Sequence, residues 1–148
     1  MPGQQKRKKY VRQKLNAMSA EFKNKNVLIV DDSIVRGTTS KEIVQMAKDA
    51  GANKVFFTSA APPVRFPHVY GINMPNKDEL IAHDRTISEI ANQLEIDNLV
   101  YQSVESLRKS IIGDSSIKGL EMSCFTGDYV TGTVNQEYLN WVENEYKS

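Results

Sequence analysis

Val27-Leu28-Ile29-Val30-Asp31-Asp32-Ser33-Ile34-Val35-Arg36-Gly37-Thr38-Thr39-Ser40 is the most informative stretch of this 148-residue sequence. Its first four residues form a continuous β-branched and aliphatic run, the composition of a strand buried in a parallel sheet. Two aspartates end the run, and a short loop containing Gly37 follows. From Lys41 to Ala50 the period becomes helical, with Ile43, Ala47 and Ala50 facing one way and Val44 and Met46 flanking them. Gly51 suits the C-terminal cap of that helix. Lys54 to Ala60 (KVFFTSA) reads as a second strand. Residues 27–60 therefore predict a βαβ crossover of right-handed sense and an α/β fold with a parallel sheet and flanking helices.

On the N-terminal side, Gln4 to Phe22 predicts a helix, because Val11, Leu15, Met18 and Phe22 recur on one stripe. On the other side, Pro62, Pro63, Pro67, Gly71 and Pro75 make residues 61–75 an irregular excursion. Asp78 to His83 and Thr86 to Leu94 predict two short helices, and Leu99 to Tyr101 a short strand. Ser103 is suited to cap a helix running through Ile112. Glu121 to Gly132 reads as loop or extended chain. Gln136 to Tyr146 predicts a final helix with Tyr138, Trp141, Val142 and Glu145 on one side, a stripe suited to packing rather than to binding. Three strand candidates fall short of the five or so in a doubly wound sheet, so uncovered apolar strand faces are expected.

Composition narrows the function classes. Forty per cent of the residues are apolar and 25% charged, enough to build a core and too apolar for general disorder. No apolar run approaches the roughly 20 residues of a membrane-spanning helix, and the basic N-terminus lacks the apolar region of a secretory signal. The single cysteine, Cys124, allows no internal disulfide and no Cys-based zinc site, which fits a reducing, cytoplasmic setting. The net charge of +1 conceals an asymmetry. Lys6, Arg7, Lys8, Lys9, Arg12 and Lys14 precede any acid, and the remainder of the chain is mildly acidic. Such a head suits nucleic acid, a phosphorylated ligand or an acidic neighbour, although a solvated charge run accounts for it equally.

The 27–40 stretch carries the chemistry. In an open parallel sheet, ligands lie outside the carboxyl ends of the strands, where Asp31 and Asp32 fall. Carboxylates there suit paired sugar hydroxyls, or Mg²⁺ held directly or through water. Gly37 permits close backbone approach, and Thr38, Thr39 and Ser40 place hydroxyls where a helix begins. Free N–H groups and the positive end of a helix dipole make that position a phosphate site. Acids followed by amides and hydroxyls suit a sugar with hydroxyls at one end and a phosphate at the other. An ordinary turn, with an aspartate or threonine merely capping the helix, is the competing explanation. The string is neither a Walker A loop nor G-x-G-x-x-G.

This string resembles the phosphoribosyl pyrophosphate (PRPP) motif of the type I phosphoribosyltransferases. MPGQQKRKKYVRQKLNAM (residues 1–18) is similar to the end of the flexible loop, and the helix after it, of the glutamine PRPP amidotransferases, or amidophosphoribosyltransferases. SAAPPVRFPHVYGINMPNKDELIAHDRT (59–86) and CFTGDYVTG (124–132) are similar to that family as well. The resemblance implies a partial type I phosphoribosyltransferase fold with added C-terminal helices. Residues 1–26 would be loop end and basic helix, 27–60 the βαβ unit with the PRPP loop, and 61–148 C-terminal loops and helices. It implies transfer of glutamine-derived ammonia to Mg-PRPP, giving 5-phosphoribosylamine, the first committed step of purine synthesis. Asp31 and Asp32 would bind the ribose hydroxyls and Mg²⁺. Ser33, Ile34, Val35, Arg36, Gly37, Thr38, Thr39 and Ser40 would bind the 5′-phosphate. Ammonia is itself the nucleophile, so no acid or base is assigned. Inhibitory purine nucleotides and a homo-oligomer are also implied, with Arg7, Arg12 and Lys14 placed to meet nucleotide phosphates.

The sequence departs from the family at several points. It begins inside the family's flexible loop, so the glutaminase domain is expected to lie outside it, and the segment is expected to be inactive alone. Cys124 does not fit the glutaminase nucleophile, which occupies a mature N-terminus. Some relatives hold an iron–sulfur cluster. Here Cys124 is the only thiol and His68 stands at another ligand position, so no cluster is expected. His68 and His83 read as loop and surface residues. Two other functions compete. A PRPP-binding purine regulator would use the basic head on nucleic acid, but no helix-turn-helix precedes the motif. A receiver-type signalling domain needs an aspartate at the end of a later strand, where this chain has only Thr58 and Ser59.

Overall fold

The computed structural model describes residues 19–147, apart from Asn73, Pro75, Asp114 and Ser115. The elements are α1 (Ser19–Phe22), β1 (Asn26–Asp31), α2 (Thr38–Asp49), β2 (Lys54–Ser59), a 3₁₀ turn (Lys77–Glu79), α3 (Ile87–Leu94), β3 (Asn98–Tyr101), α4 (Val104–Ile112), α5 (Ser123–Thr126) and α6 (Gln136–Lys147). The three strands form one parallel sheet in the order β1-β2-β3. The expected βαβ unit is present, with Ile29 opposite Phe57 and Asp31 opposite Ser59.

Period-two alternation gives the sheet two unlike faces. Val55, Phe57 and Leu99 are buried on one face, with Ile29 and Tyr101 packed against them. Val44 and Ala47 of α2 and Ile90 and Leu94 of α3 cover this face. Each large apolar side chain buried there contributes about 1.5–3 kcal/mol. On the opposite face, Leu28 is 62% exposed, Val30 69% and Val100 54%. The expected uncovered strand face is therefore present among the described residues.

Several local expectations need correction. Helix α2 starts at Thr38 rather than Lys41, because Gly37 turns the chain one residue earlier. Its buried positions are Ser40, Val44 and Ala47, so Val44, not Ile43 or Ala50, faces the sheet. Gly51 follows as expected, at φ +90°: its N–H bonds Lys48 O at 2.8 Å and that of Ala52 bonds Ala47 O at 3.1 Å, a Schellman closure. The helix expected over 78–83 is only a 3₁₀ turn followed by further turns, started by Asn76 accepting from Asp78 N–H. The 121–132 loop contains the single helical turn α5. The aromatic stripe of α6 does not pack into the core: Trp141 is 57% exposed, and Tyr138 lies against it with ring centroids 5.8 Å apart. The predicted helix over 4–22 lies outside the described residues except at α1.

Helix α3 begins with a capping box. Thr86 Oγ1 accepts from Glu89 N–H, and the Glu89 carboxylate accepts from Thr86 N–H at 2.7 Å. Ser103 caps α4 as expected, accepting from Ser106 N–H at 3.0 Å. No helix among the described residues is long and apolar enough to cross a membrane.

Candidate functional site

At the carboxyl end of β1 the chain crosses to α2 over six residues, 32–37. Backbone hydrogen bonds anchor its start: Ala60 N–H donates to Asp31 O at 2.9 Å and Ala61 N–H to Asp32 O at 2.8 Å. Asp31 is half-buried on the covered face and its Oδ1 accepts from Asp32 N–H at 3.0 Å. Asp32 is exposed, and Ser33 Oγ donates to its Oδ1 at 3.3 Å. At the strand end one carboxylate is thus half-buried and braced by backbone, and the next is open to solvent.

The loop then dives and returns. Ile34 is buried at 1% exposure in the core, so its side chain is unavailable to a ligand. Val35 O is taken by Ile81 N–H at 2.9 Å. Gly37 adopts φ +78° as the cap residue of α2 and brings no side chain to the helix end. Neither Asp32 nor a threonine caps the helix, contrary to the ordinary-turn explanation. Thr38 and Thr39 are exposed on the first turn, whereas Ser40 is buried. First-turn N–H groups and two hydroxyls therefore face outward at the positive end of a 12-residue helix.

Arg36 points to Glu79: its Nε and one terminal nitrogen both reach the same carboxylate oxygen, Oε2. Sequence reasoning missed Glu79 and Ile81 because they lie more than 40 residues downstream in a stretch without a regular period. The segment bearing them is braced in turn. Arg65 donates to the carbonyls of Ala82 and Arg85, at 2.8 and 3.0 Å, and Arg85 donates to Ile81 O at 3.1 Å. Arg7, Arg12 and Lys14 lie outside the described residues.

A second polar cluster joins the 65–70 and 121–131 segments. His68 is buried rather than at the surface, and its Nε2 meets Glu121 Oε2 at 3.2 Å. Tyr70 N–H donates to His68 Nδ1, which assigns the Nε2–H tautomer and makes Glu121 its acceptor. Burial pushes the Glu121 carboxyl up, but hydrogen bonds from Ser123 and the adjacent His68 outweigh it and hold the group below its ordinary range. Burial, with Glu121 nearby, pushes the half-buried Cys124 thiol up. His83 Nδ1 lies 2.9 Å from Arg65 O.

A parallel sheet flanked by helices, with a carboxylate pair at a strand end followed by a left-handed glycine and a hydroxyl-bearing helix start, has the architecture of the phosphoribosyltransferase class. No family model matches the chain. Individual relatives do. It is 52% identical to the amidophosphoribosyltransferase of Haemophilus influenzae over 146 residues, 98% of this chain and 29% of that protein. It is 53% identical to the Escherichia coli amidophosphoribosyltransferase over 144 residues, 97% of this chain and 28% of that protein. The Saccharomyces cerevisiae protein is 51% identical over all 148 residues, 29% of its length. Among solved structures, a glutamine PRPP amidotransferase from B. subtilis complexed with ADP and GMP matches with a TM-score of 0.68 and 41% identity. That match covers 75% of this chain and 25% of the other. Over almost its whole length the chain thus matches the amidophosphoribosyltransferases, as a segment spanning about 29% of the length of those relatives.

Proposed function

We propose that this chain is the C-terminal part of a phosphoribosyltransferase domain and supplies the PRPP loop of an amidophosphoribosyltransferase, a cytoplasmic homo-oligomer. The observation that carries the reading is the turn itself: two aspartates at the end of β1, then a left-handed Gly37 that opens the first turn of α2. The family's similarity across almost the whole chain supports it.

In this reading ammonia, derived from glutamine elsewhere in the enzyme, attacks C1 of PRPP and pyrophosphate departs, leaving 5-phosphoribosylamine. Asp31 and Asp32 accept hydrogen bonds from the ribose hydroxyls, since carboxylates are acceptors only. The first-turn amides of α2, with Thr38 and Thr39, hold the 5′-phosphate at the positive helix end. Ile34 contributes through its backbone alone, its side chain being in the core. Ammonia arrives as a nucleophile, so orientation and charge stabilisation carry the rate.

Among the described residues no group of three or more His, Cys, Asp and Glu side chains is arranged to hold a metal. Two hard carboxylates fit Mg²⁺ in its usual manner, with one or two protein ligands and the rest from substrate oxygens and water. Asp31 and Asp32 would hold it. When bound, Mg²⁺ stabilises the charge of the departing pyrophosphate.

The test places this segment in the Escherichia coli relative in exchange for the matching one. Asp31→Asn with Asp32→Asn should lower ammonia-dependent transfer by at least about 100-fold while glutamine hydrolysis persists. Unchanged transfer would overturn the assignment. Purine nucleotides as inhibitors, with phosphates meeting Arg7, Arg12 and Lys14, belong to the same reading. It is supported by the basic charge of that run and by the nucleotide-bound B. subtilis relative. Replacing all three by alanine should weaken inhibition by GMP, and an unaltered inhibition curve would refute that part.

A further inference from the structure

The geometry points to Glu79 as a positioning residue for the phosphate loop, acting through Arg36. This rests on the reading of residues 31–40 as the PRPP loop and adds a residue outside that motif.

Three independent contacts join the 79–81 segment to the loop. Both contacting nitrogens of Arg36 converge on Glu79 Oε2. One residue earlier, Val35 O accepts from Ile81 N–H at 2.9 Å. One residue later, Ile81 lies so close to Gly37 that a Cβ there would fall 2.4 Å from Ile81 Cδ1. Three consecutive loop residues are thus clasped by one short downstream segment. That segment is itself rigid, since Arg65 and Arg85 hold its carbonyls and Leu80, Ile81 and Ala82 are buried.

The physical need for the clasp is local. Residues 32–37 have no helix or strand ladder of their own, so their amides are aimed only by what touches them from outside. Phosphate recognition by backbone N–H groups depends on that aim. Arg36 is a cation with five donors, placed between two acids and the helix start. Left unpaired, a long flexible cation of this kind samples many directions and no longer steadies the loop backbone that bears it. Glu79 occupies the guanidinium and fixes its direction. The pair is about half exposed on both sides, so its contribution to global stability is small. Its effect belongs in loop geometry and therefore in substrate binding.

The experiment uses the same exchanged enzyme. Glu79→Gln should raise KM for PRPP about three- to tenfold, with kcat within about twofold and KM for ammonia unchanged, the pattern of lost binding rather than lost chemistry. Glu79→Asp should recover part of the loss. In an Arg36→Ala background, Glu79→Gln should add nothing further, because the two act as one unit. Amide exchange over 33–37 should quicken in Glu79→Gln without a matching drop in Tm.

An unchanged KM for PRPP in Glu79→Gln overturns the proposal. A lowered KM also overturns it, since Glu79 would then be competing with phosphate for Arg36. A full Glu79→Gln effect persisting in the Arg36→Ala background does the same. The two levels of inference separate cleanly. Retained transfer in the Asp31 and Asp32 variants sinks the loop assignment, whereas loss there with a silent Glu79→Gln sinks only this one.

Discussion

Gly37 shows how much one residue carries. Its φ of +78° lies in the region that L side chains avoid, and its Cα faces Ile81 and Leu94 of the core. A methyl group there meets Ile81 Cδ1 at 2.4 Å and Leu94 Cδ2 at 3.1 Å. Gly37→Ala therefore adds backbone strain of about 1–3 kcal/mol to an overpacking cost of similar size. We expect a chemical-denaturation midpoint clearly below wild type with an unchanged m-value; an equal midpoint would show that the site relaxes freely. Asp31 and Asp32 illustrate the complementary case. Their identity, adjacency and place after an aliphatic run state their chemistry in the sequence alone. Glu79 carries no such mark, since its partner is 43 residues away.

At the scale of elements, the long C-terminal excursions are stitched to each other by backbone and side-chain hydrogen bonds between loops rather than by a sheet. Arg65 and Phe66 N–H groups both donate to Cys124 O, at 2.9 and 3.0 Å, and Tyr129 Oη donates to Pro67 O at 2.8 Å. The His68–Glu121 contact completes this seam, with Ser123 N–H donating to the other Glu121 oxygen at 2.8 Å. Because the Glu121 carboxyl is held below its ordinary range, its stabilisation is complete above about pH 4.5 and lost as pH falls through the lowered value. The stability difference between wild type and Glu121→Gln should therefore shrink on acidification from pH 6 to pH 3, followed by urea unfolding. A difference that grows would reverse the sign of the coupling. At the alkaline end, burial pushes the Tyr129 phenol up to about 12, so its hydroxyl keeps its proton, and its bond to Pro67, well beyond the ordinary phenol range.

At the scale of the whole molecule, the sheet is covered on one side only among the described residues. Leu28 and Val30 of β1 and Val100 of β3 stand exposed on the uncovered face, with half-buried Phe56 of β2 between the two strands, the kind of apolar surface that drives association. The 148-residue chain expressed by itself should sediment as self-associated species, and Leu28→Lys with Val30→Thr should shift it toward monomer. A wild-type chain that stays monomeric at high micromolar concentration would show that this face is not sticky. The strands, the α2, α3 and α4 helices and the acidic-then-hydroxyl order of the βα turn were legible in advance. Each rests on a period or a cap spanning a few residues, and short-range chemistry of that kind is written in the chain. The phase of α2 was not, since packing against β2 and α3 selects Val44 over Ile43. Nor was the burial of His68, which depends on Glu121 some 53 residues on, or the clasp of the phosphate loop by Glu79 and Ile81. Sequence alone thus specified the elements and the chemical character of the loop. Which distant residues hold that loop in shape was settled by folding, because contacts across tens of residues leave no periodic trace in the chain.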